Sequence, residues 1–306
     1  MAPAVGADQE VEGARQWVDQ LDRRCRRPDV TRGGLRLAWR VIGQGSKVIL
    51  LHGGHGSWLH WARNLEALAQ HHEVHVPDLP GYGGSDTSAS LDFDELLEVM
   101  HAGVTQQFDE REPLALVGFS FGGLVAAHLA ARRKGHTCLA LLGPAGHGGP
   151  RRPKGRLQPW REAAQKGDQA GLSAIMRHNL LTHMLHSDRK LDALALHIHS
   201  QSCRQTRFFS KTISHAGGLA GVLSRCTGPL LLLLGVHDVT ADPSWVTKTL
   251  CDAKPDLEHR TFLSCGHWAQ YEAAQAVNAC LHDWLSRSMP PGEIQRPGPC
   301  GTIARL

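Results

Sequence analysis

Apolar residues recur along this chain in two rhythms. Four runs are apolar almost without a break: Val48–Leu51, Leu114–Val117, Cys138–Leu142 and Leu230–Leu234. Each is short and bounded by Gly, Pro or polar residues, which predicts strands buried on both faces of a sheet. Leu35–Ile42, Glu73–Val76 and Leu257–Leu263 predict three more strands. Helical spacing falls around and between them. Gln9–Arg27 sets Val11, Ala14, Val18 and Leu21 on one face, and Trp58–Gln70, Asp92–Gln107, the stretch after Gly123, Pro243–Ala253 and Glu272–Arg287 are read as helices. Strand–helix alternation with short connections predicts the α/β class, a mostly parallel central sheet flanked by helices.

The alternation stops at about Pro144 and returns at Pro229. The intervening residues show helical segments joined by Gly, Pro and Ser, an insert expected to form a helical lid over the C-terminal ends of the strands. The expected organisation is a polar N-terminal helix and extension (1–33), a core (34–143 and 227–288), a lid (144–226) and a disordered tail (289–306) containing Pro290, Pro291, Pro297 and Pro299. No internal repeat interrupts it.

Composition narrows the function classes. Hydrophobic residues at 42% and charged residues at 20% are ordinary for a globular chain of 306 residues. No apolar run approaches the ~20 residues of a membrane span, and Met1–Glu10 has neither the basic start nor the apolar centre of a signal peptide, so no membrane association is expected. A net charge of +4 is too small to argue for nucleic acid. The eight cysteines are scattered without a C-x-x-C, which reads as reduced thiols in a cytoplasmic protein. Charge is uneven, however. Residues 144–226 hold 13 Lys or Arg against 4 Asp or Glu, a balance of +9, while the remainder holds 20 against 25. Arg151, Arg152, Lys154, Arg156 and Arg161 cluster at the entry to the insert. A cleft edged by one sign of charge draws in the opposite sign, so a small, anionic substrate is expected. The plain alternative is a basic outer face that keeps the insert in solution. A homo-oligomer is left open.

The chemistry-bearing stretch is Leu114–Gly123. Gly118-Phe119-Ser120-Phe121-Gly122 fits G-x-S-x-G, set between a buried strand and a run of helix formers. A serine at the tip of a sharp strand-to-helix turn is strained, and its neighbours two positions away must lack side chains. Ser120 is therefore the expected nucleophile. A second stretch, His52-Gly53-Gly54-His55-Gly56, follows the strand Val48–Leu51. Attack on a carbonyl generates an oxyanion, which requires backbone N–H donors already in place. Gly54 and Phe121 are the expected donors. The rival, a phosphate-binding loop, lacks both G-x-G-x-x-G spacing and Gly-Lys-Ser/Thr.

The order His-Gly-Gly, Gly-Phe-Ser-Phe-Gly, an aspartate after a later strand and Gly-His near the C-terminus resembles the α/β-hydrolase fold over about residues 34–287. The resemblance implies His267 as the base, Asp238 as the carboxylate that orients it, and Asp242 as the other candidate for that role. His55, Phe119 and Trp268 are then expected at the substrate. Relatives in that fold that form an alkyl ester on an aspartate are set aside by serine at 120, which leaves acyl chemistry, with a carboxylic ester as the default substrate. Ser264–Glu272 is also similar to the base loop of carbon–carbon hydrolases acting on meta-cleavage products, although those enzymes usually carry asparagine where Phe119 stands. A third alternative is a non-catalytic ligand receptor. No cofactor is implied. His183 with His186, and His197 with His199, lack further ligands at metal spacing, so no metal is expected.

Overall fold

The apolar runs lie side by side in the structure, a computed structural model that describes residues 4–290. Helix α1 (Ala4–Arg23) leads to an antiparallel ribbon, β1 (Val30–Arg32) and β2 (Leu35–Leu37). A seven-stranded sheet follows, built from β3 (Trp39–Ile42), β4 (Ser46–Leu51), β5 (His72–Pro77), β6 (Leu114–Phe119), β7 (Thr137–Leu142), β8 (Leu230–Gly235) and β9 (Glu258–Phe262). Its order is β3-β5-β4-β6-β7-β8-β9, with β3 antiparallel to β5 and every other pair parallel.

Helices α2 (Leu65–Ala69), α3 (Phe93–Gln107) and α4 (Phe121–Ala130) connect the first strands, and α10 (Pro243–Ala253), α11 (Ala269–Glu272) and α12 (Ala274–Ser288) close the chain after the sheet's later strands. The insert contains α5 (Arg161–Gln165), α6 (Gln169–His183), α7 (Ala193–Arg204), α8 (Lys211–His215) and α9 (Leu219–Leu223), with no strand among its described residues.

Alternation along each central strand feeds two cores. Leu114 and Leu116 pack with Leu97, Met100, Val125 and Leu250 on one face, while Ala115 and Val117 pack with Leu21, Leu65, Leu281 and Trp284 on the other. Full burial on both faces explains why these strands read as continuous apolar runs. The edge strand β9 departs from that pattern, with its central residues His259, Arg260 and Thr261 exposed and polar, a protection against pairing with another chain.

Three predicted elements are broken. Leu35–Ile42 forms two strands because Ala38 is drawn out of the ladder: its N–H donates to Ser85 Oγ at 2.8 Å and its carbonyl accepts from Asp78 N at 2.9 Å. Trp58–Gln70 becomes a 3₁₀ turn (Trp58–Trp61) and the short α2, separated at Asn64, whose amide is tied to Gln270 O and Asn278 Oδ1. The closing helix starts earlier than expected and breaks at Ala273, next to Glu272, whose buried carboxylate accepts Gly266 N at 2.6 Å, His186 N at 2.9 Å and Ser187 N at 3.2 Å. The N-terminal helix ends at Arg23, short of Arg27; in the basic run beyond, Arg26 pairs with Glu73 and Arg27 with Asp22.

The insert is not a detached unit. Its α9 belongs to the helical layer beside α4 and α10, and α7 packs against α1. The tail expected to be disordered lies outside the described residues from residue 291 onward.

Candidate active site

Ser120 sits between the end of β6 and the start of α4 with φ 53° and ψ −117°, one of two non-glycine residues with positive φ among those described. The surrounding backbone holds this conformation in place. Ser120 N donates to Leu142 O at 2.9 Å, and Ser120 O accepts from Gly123 N and Ala145 N, both at 2.9 Å. A side chain at Gly118 would run into the backbone of Gly122 and Gly123, and one at Gly122 into the carbonyls of Leu51 and His52. The glycines are thus required by close backbone approach.

His267 follows β9 on a loop, and Asp238 follows β8. His267 Nδ1 lies 2.8 Å from Asp238 Oδ2, and both residues are buried. Thr240, not anticipated from the sequence, completes the arrangement. Its amide and hydroxyl donate to Asp238 Oδ1 at 2.7 and 2.8 Å, and its Oγ1 lies 3.1 Å from His267 Nδ1. Burial penalises the Asp238 charge, but the neighbouring imidazole and the Thr240 donors outweigh it and hold the carboxyl below its usual value. A charged Asp238 keeps the His267 proton on Nδ1 and leaves Nε2 with a free lone pair. Asp242 does something else: its Oδ1 accepts Trp245 N at 3.0 Å and caps α10.

Ser120, His267 and Thr240 border one cavity of about 790 Å³. Gly54, His55, His60 and Phe119 border it too, and the insert contributes Arg151, Trp160, Arg161, Asn179, His183, His199, Cys203, Ser210 and Lys211. A Cβ built on Gly54 would lie 3.9 Å from Phe121 Cβ, so the two expected oxyanion donors are neighbours, although the Phe121 ring itself is buried in the core. Phe119 packs its ring against His267 at 4.8 Å. Trp268 is not among the cavity-lining residues. It is fully buried behind them, its Nε1–H donating to His60 O at 3.0 Å. Aromatic size next to the base suggested substrate contact; packing against Tyr271 and His60 claims the ring instead.

Of the five clustered basic residues, Arg151 and Arg161 reach the cavity. Arg152 donates to the carbonyls of Val236, Asp238 and Ala241, Lys154 to that of His186, and Arg156 is exposed. The histidines diverge as well. His183 meets His267 edge-on at 5.9 Å, His199 lies beside Cys203, and His186 stacks on His237 at 3.5 Å. Among the described residues no group of three or more His, Cys, Asp or Glu could hold a metal ion. Burial pushes His199 down to about 4 and His183 to about 3, so both are neutral near pH 7.

The fold has counterparts. A pimeloyl-[acyl-carrier protein] methyl ester esterase from Vibrio cholerae is 38% identical over 98 residues, 31% of this chain and 35% of that protein. The same esterase from Aliivibrio fischeri is 37% identical over 94 residues. These alignments span about a third of the relatives' length. Among solved structures, an esterase from a Rhodococcus species superposes with a TM-score of 0.70 at 21% identity, covering 87% of this chain and 99% of that one. A meta-cleavage product hydrolase from Pseudomonas fluorescens IP01 superposes with a TM-score of 0.67 at 19% identity, covering 85% and 97%. At such identities the superpositions speak for the fold alone. Residues 48–279 match the model of the alpha/beta hydrolase family, and the chain belongs to that family.

Proposed function

We propose that the protein is a serine hydrolase of carboxylic esters, with Ser120 as nucleophile, His267 as general base and Asp238 as the carboxylate that orients and stabilises the imidazole. The observation that carries the reading is the placement of a strained elbow serine and a carboxylate-bound histidine on one cavity. His267 Nε2 takes the Ser120 proton, Oγ attacks the ester carbonyl, and the N–H groups of Gly54 and Phe121 receive the oxyanion. The protonated His267 gives its proton to the departing alcohol, and water then releases the acid by the same route. Thr240 keeps the Asp238 carboxylate fixed throughout. The insert acts as a lid, since α5 to α8 supply one side of the cavity. His55 and Phe119 contact substrate.

Arg151, Arg161 and Lys211 face that cavity, and the one acid lining it among the described residues, Glu162, is paired with Lys166. This favours an anionic substrate. The esterase relatives act, by name, on a carrier-bound methyl ester, in keeping with ester chemistry here. The seven described cysteines are free thiols, which supports a cytoplasmic location.

Carbon–carbon hydrolysis of dienol ketones is the second reading, favoured by Ser264–Glu272. One comparison separates the readings. Fluorophosphonate labelling of Ser120 with release of acid from aryl esters is expected; loss of dienol absorbance without ester turnover would assign the second reading. Absence of labelling would point to a receptor.

A further inference from the structure

The loop carrying Gly54 is held by two histidines, and one of them has a hydrogen to spare. Leu79 N–H donates to His52 Nε2 at 2.9 Å, so the His52 proton sits on Nδ1 and goes to Gly53 O at 2.8 Å. That carbonyl belongs to the peptide whose N–H is the Gly54 donor. On the other side, Gly53 N–H donates to His60 Nδ1 at 3.2 Å. An amide N–H has no lone pair to offer, so His60 Nδ1 must be unprotonated. Burial, reinforced by His52, His199 and His267, keeps the ring neutral. Its single proton is therefore on Nε2.

The sequence builds a seat for this ring. A side chain at Gly56 would collide with the imidazole of His60 and the carbonyl of Gly53. Phe119 and Trp268 pack against it at 5.3 and 5.2 Å between centroids. The seat adjoins the nucleophile, since a Cβ built on Gly53 would stand 3.1 Å from Ser120 Cβ. His60 is only 2% exposed, yet it lines the cavity, and its Nε2 has no hydrogen-bond partner among the described residues. Set in the cavity wall, this donor is available to an acceptor that enters the cavity.

We propose that His60 contacts the substrate: with Nδ1 fixed on the Gly53 amide, its Nε2–H donates to an oxygen of the ester bound at Ser120. This rests on the serine-hydrolase reading above. The ring couples two tasks, holding the oxyanion loop from behind and meeting the ester from the front. As a neutral donor it favours an oxygen-bearing group at this end of the cavity without fixing a charge there.

Two conservative variants separate the tasks. The amide oxygen of His60→Asn stands near the place of Nδ1 and still accepts from Gly53, but nothing donates from the Nε2 position. His60→Gln places an amide nitrogen near Nε2 and gives up the acceptor for Gly53. With a p-nitrophenyl ester, His60→Asn should lose about a hundredfold in kcat/KM, the scale of one lost transition-state donor, while keeping its thermal midpoint. His60→Gln should recover part of that loss in kcat/KM, because a donor is restored, and melt lower than His60→Asn. Wild-type kcat/KM in His60→Asn, or activity that merely follows the thermal midpoint in both variants, overturns the proposal. Should neither variant fold, ¹⁵N-histidine spectra of the wild type decide. The His60 Nε2–H resonance should shift when a p-nitrophenyl phosphonate reacts with Ser120, and an unmoved resonance counts against the contact. A wild type that fails to react with the phosphonate, together with an active Ser120→Ala, removes the serine-hydrolase reading and this contact with it. A reactive wild type beside an unaffected His60→Asn removes the contact alone.

Discussion

Ser120 occupies backbone that L-residues avoid, at a cost on the order of 1–3 kcal/mol. Two substitutions separate that strain from the chemistry. Ser120→Ala keeps the strain and should lose on the order of a million-fold in kcat with an unchanged thermal midpoint. Ser120→Gly should be equally inactive but melt higher, because glycine adopts positive φ freely. Equal midpoints for the two would mean the turn is relaxed. Asp238 and Asp242 are the second contrast. Asp238→Asn removes the charge facing His267 and should cost on the order of ten-thousand-fold, whereas Asp242→Asn keeps a competent helix cap and should cost little. The reverse ranking, read from kcat of purified variants, would move the orienting carboxylate to Asp242. Ser120 was legible because its constraints are local: two glycines, a strand before and a helix after. Thr240 was within reach, since aspartate side chains often bond the N–H two residues on, as Asp238 does here. His60 was not, because its partner Gly53 is seven residues away across a loop whose path the sequence pattern does not give.

Elements that depend on their own periodicity came out as read: α3 starts after the Asp92 cap and α10 after the Asp242 cap with Pro243 behind it. Those broken by distant partners did not. Ala38 leaves its ladder for Ser85 and Asp78, and the closing helix is interrupted beside Glu272. Burial patterns carry no record of such ties. The insert's charge shows the same limit, since composition counted five cations at its entry but not their directions. With Arg151, Arg161 and Lys211 at the cavity, kcat/KM for a carboxylate-bearing aryl ester should fall more steeply with added salt than for its neutral twin. The double variant Arg151→Gln/Arg161→Gln should bring the two salt profiles together. Parallel profiles in the wild type would leave these cations without a role in substrate capture.

At the scale of the whole molecule, buried neutral histidines contribute a loss of stability in acid. Burial lowers His72 from its ordinary 6.5 to about 4, His199 to about 4 and His183 to about 3. Unfolded, each takes up its proton near pH 6.5; folded, it does not until pH 4 or below. The unfolded chain therefore binds more protons throughout that window, and stability must fall as pH drops from 6.5 towards 4. Thermal midpoints measured from pH 7 to 4 should decline, and His72→Gln should make the decline shallower. A flat profile would show that these rings accept protons without unfolding. The fold's joints bear on a different matter, how the entrance can be rebuilt. Glu272 takes N–H groups from Gly266, beside the base, and from His186 and Ser187, in the insert. Amide exchange at these three positions should be slow in the wild type and accelerate together in Glu272→Ala; independent rates would dissolve the joint. With that joint in place, a foreign loop grafted at 155–160, where the chain is mostly exposed and irregular and beyond the Lys154 contact to His186, leaves the base loop undisturbed. The same graft at 184–187 would displace Gly266 and, with it, His267, so entrances can be exchanged between scaffolds of this kind on one side of the cavity only.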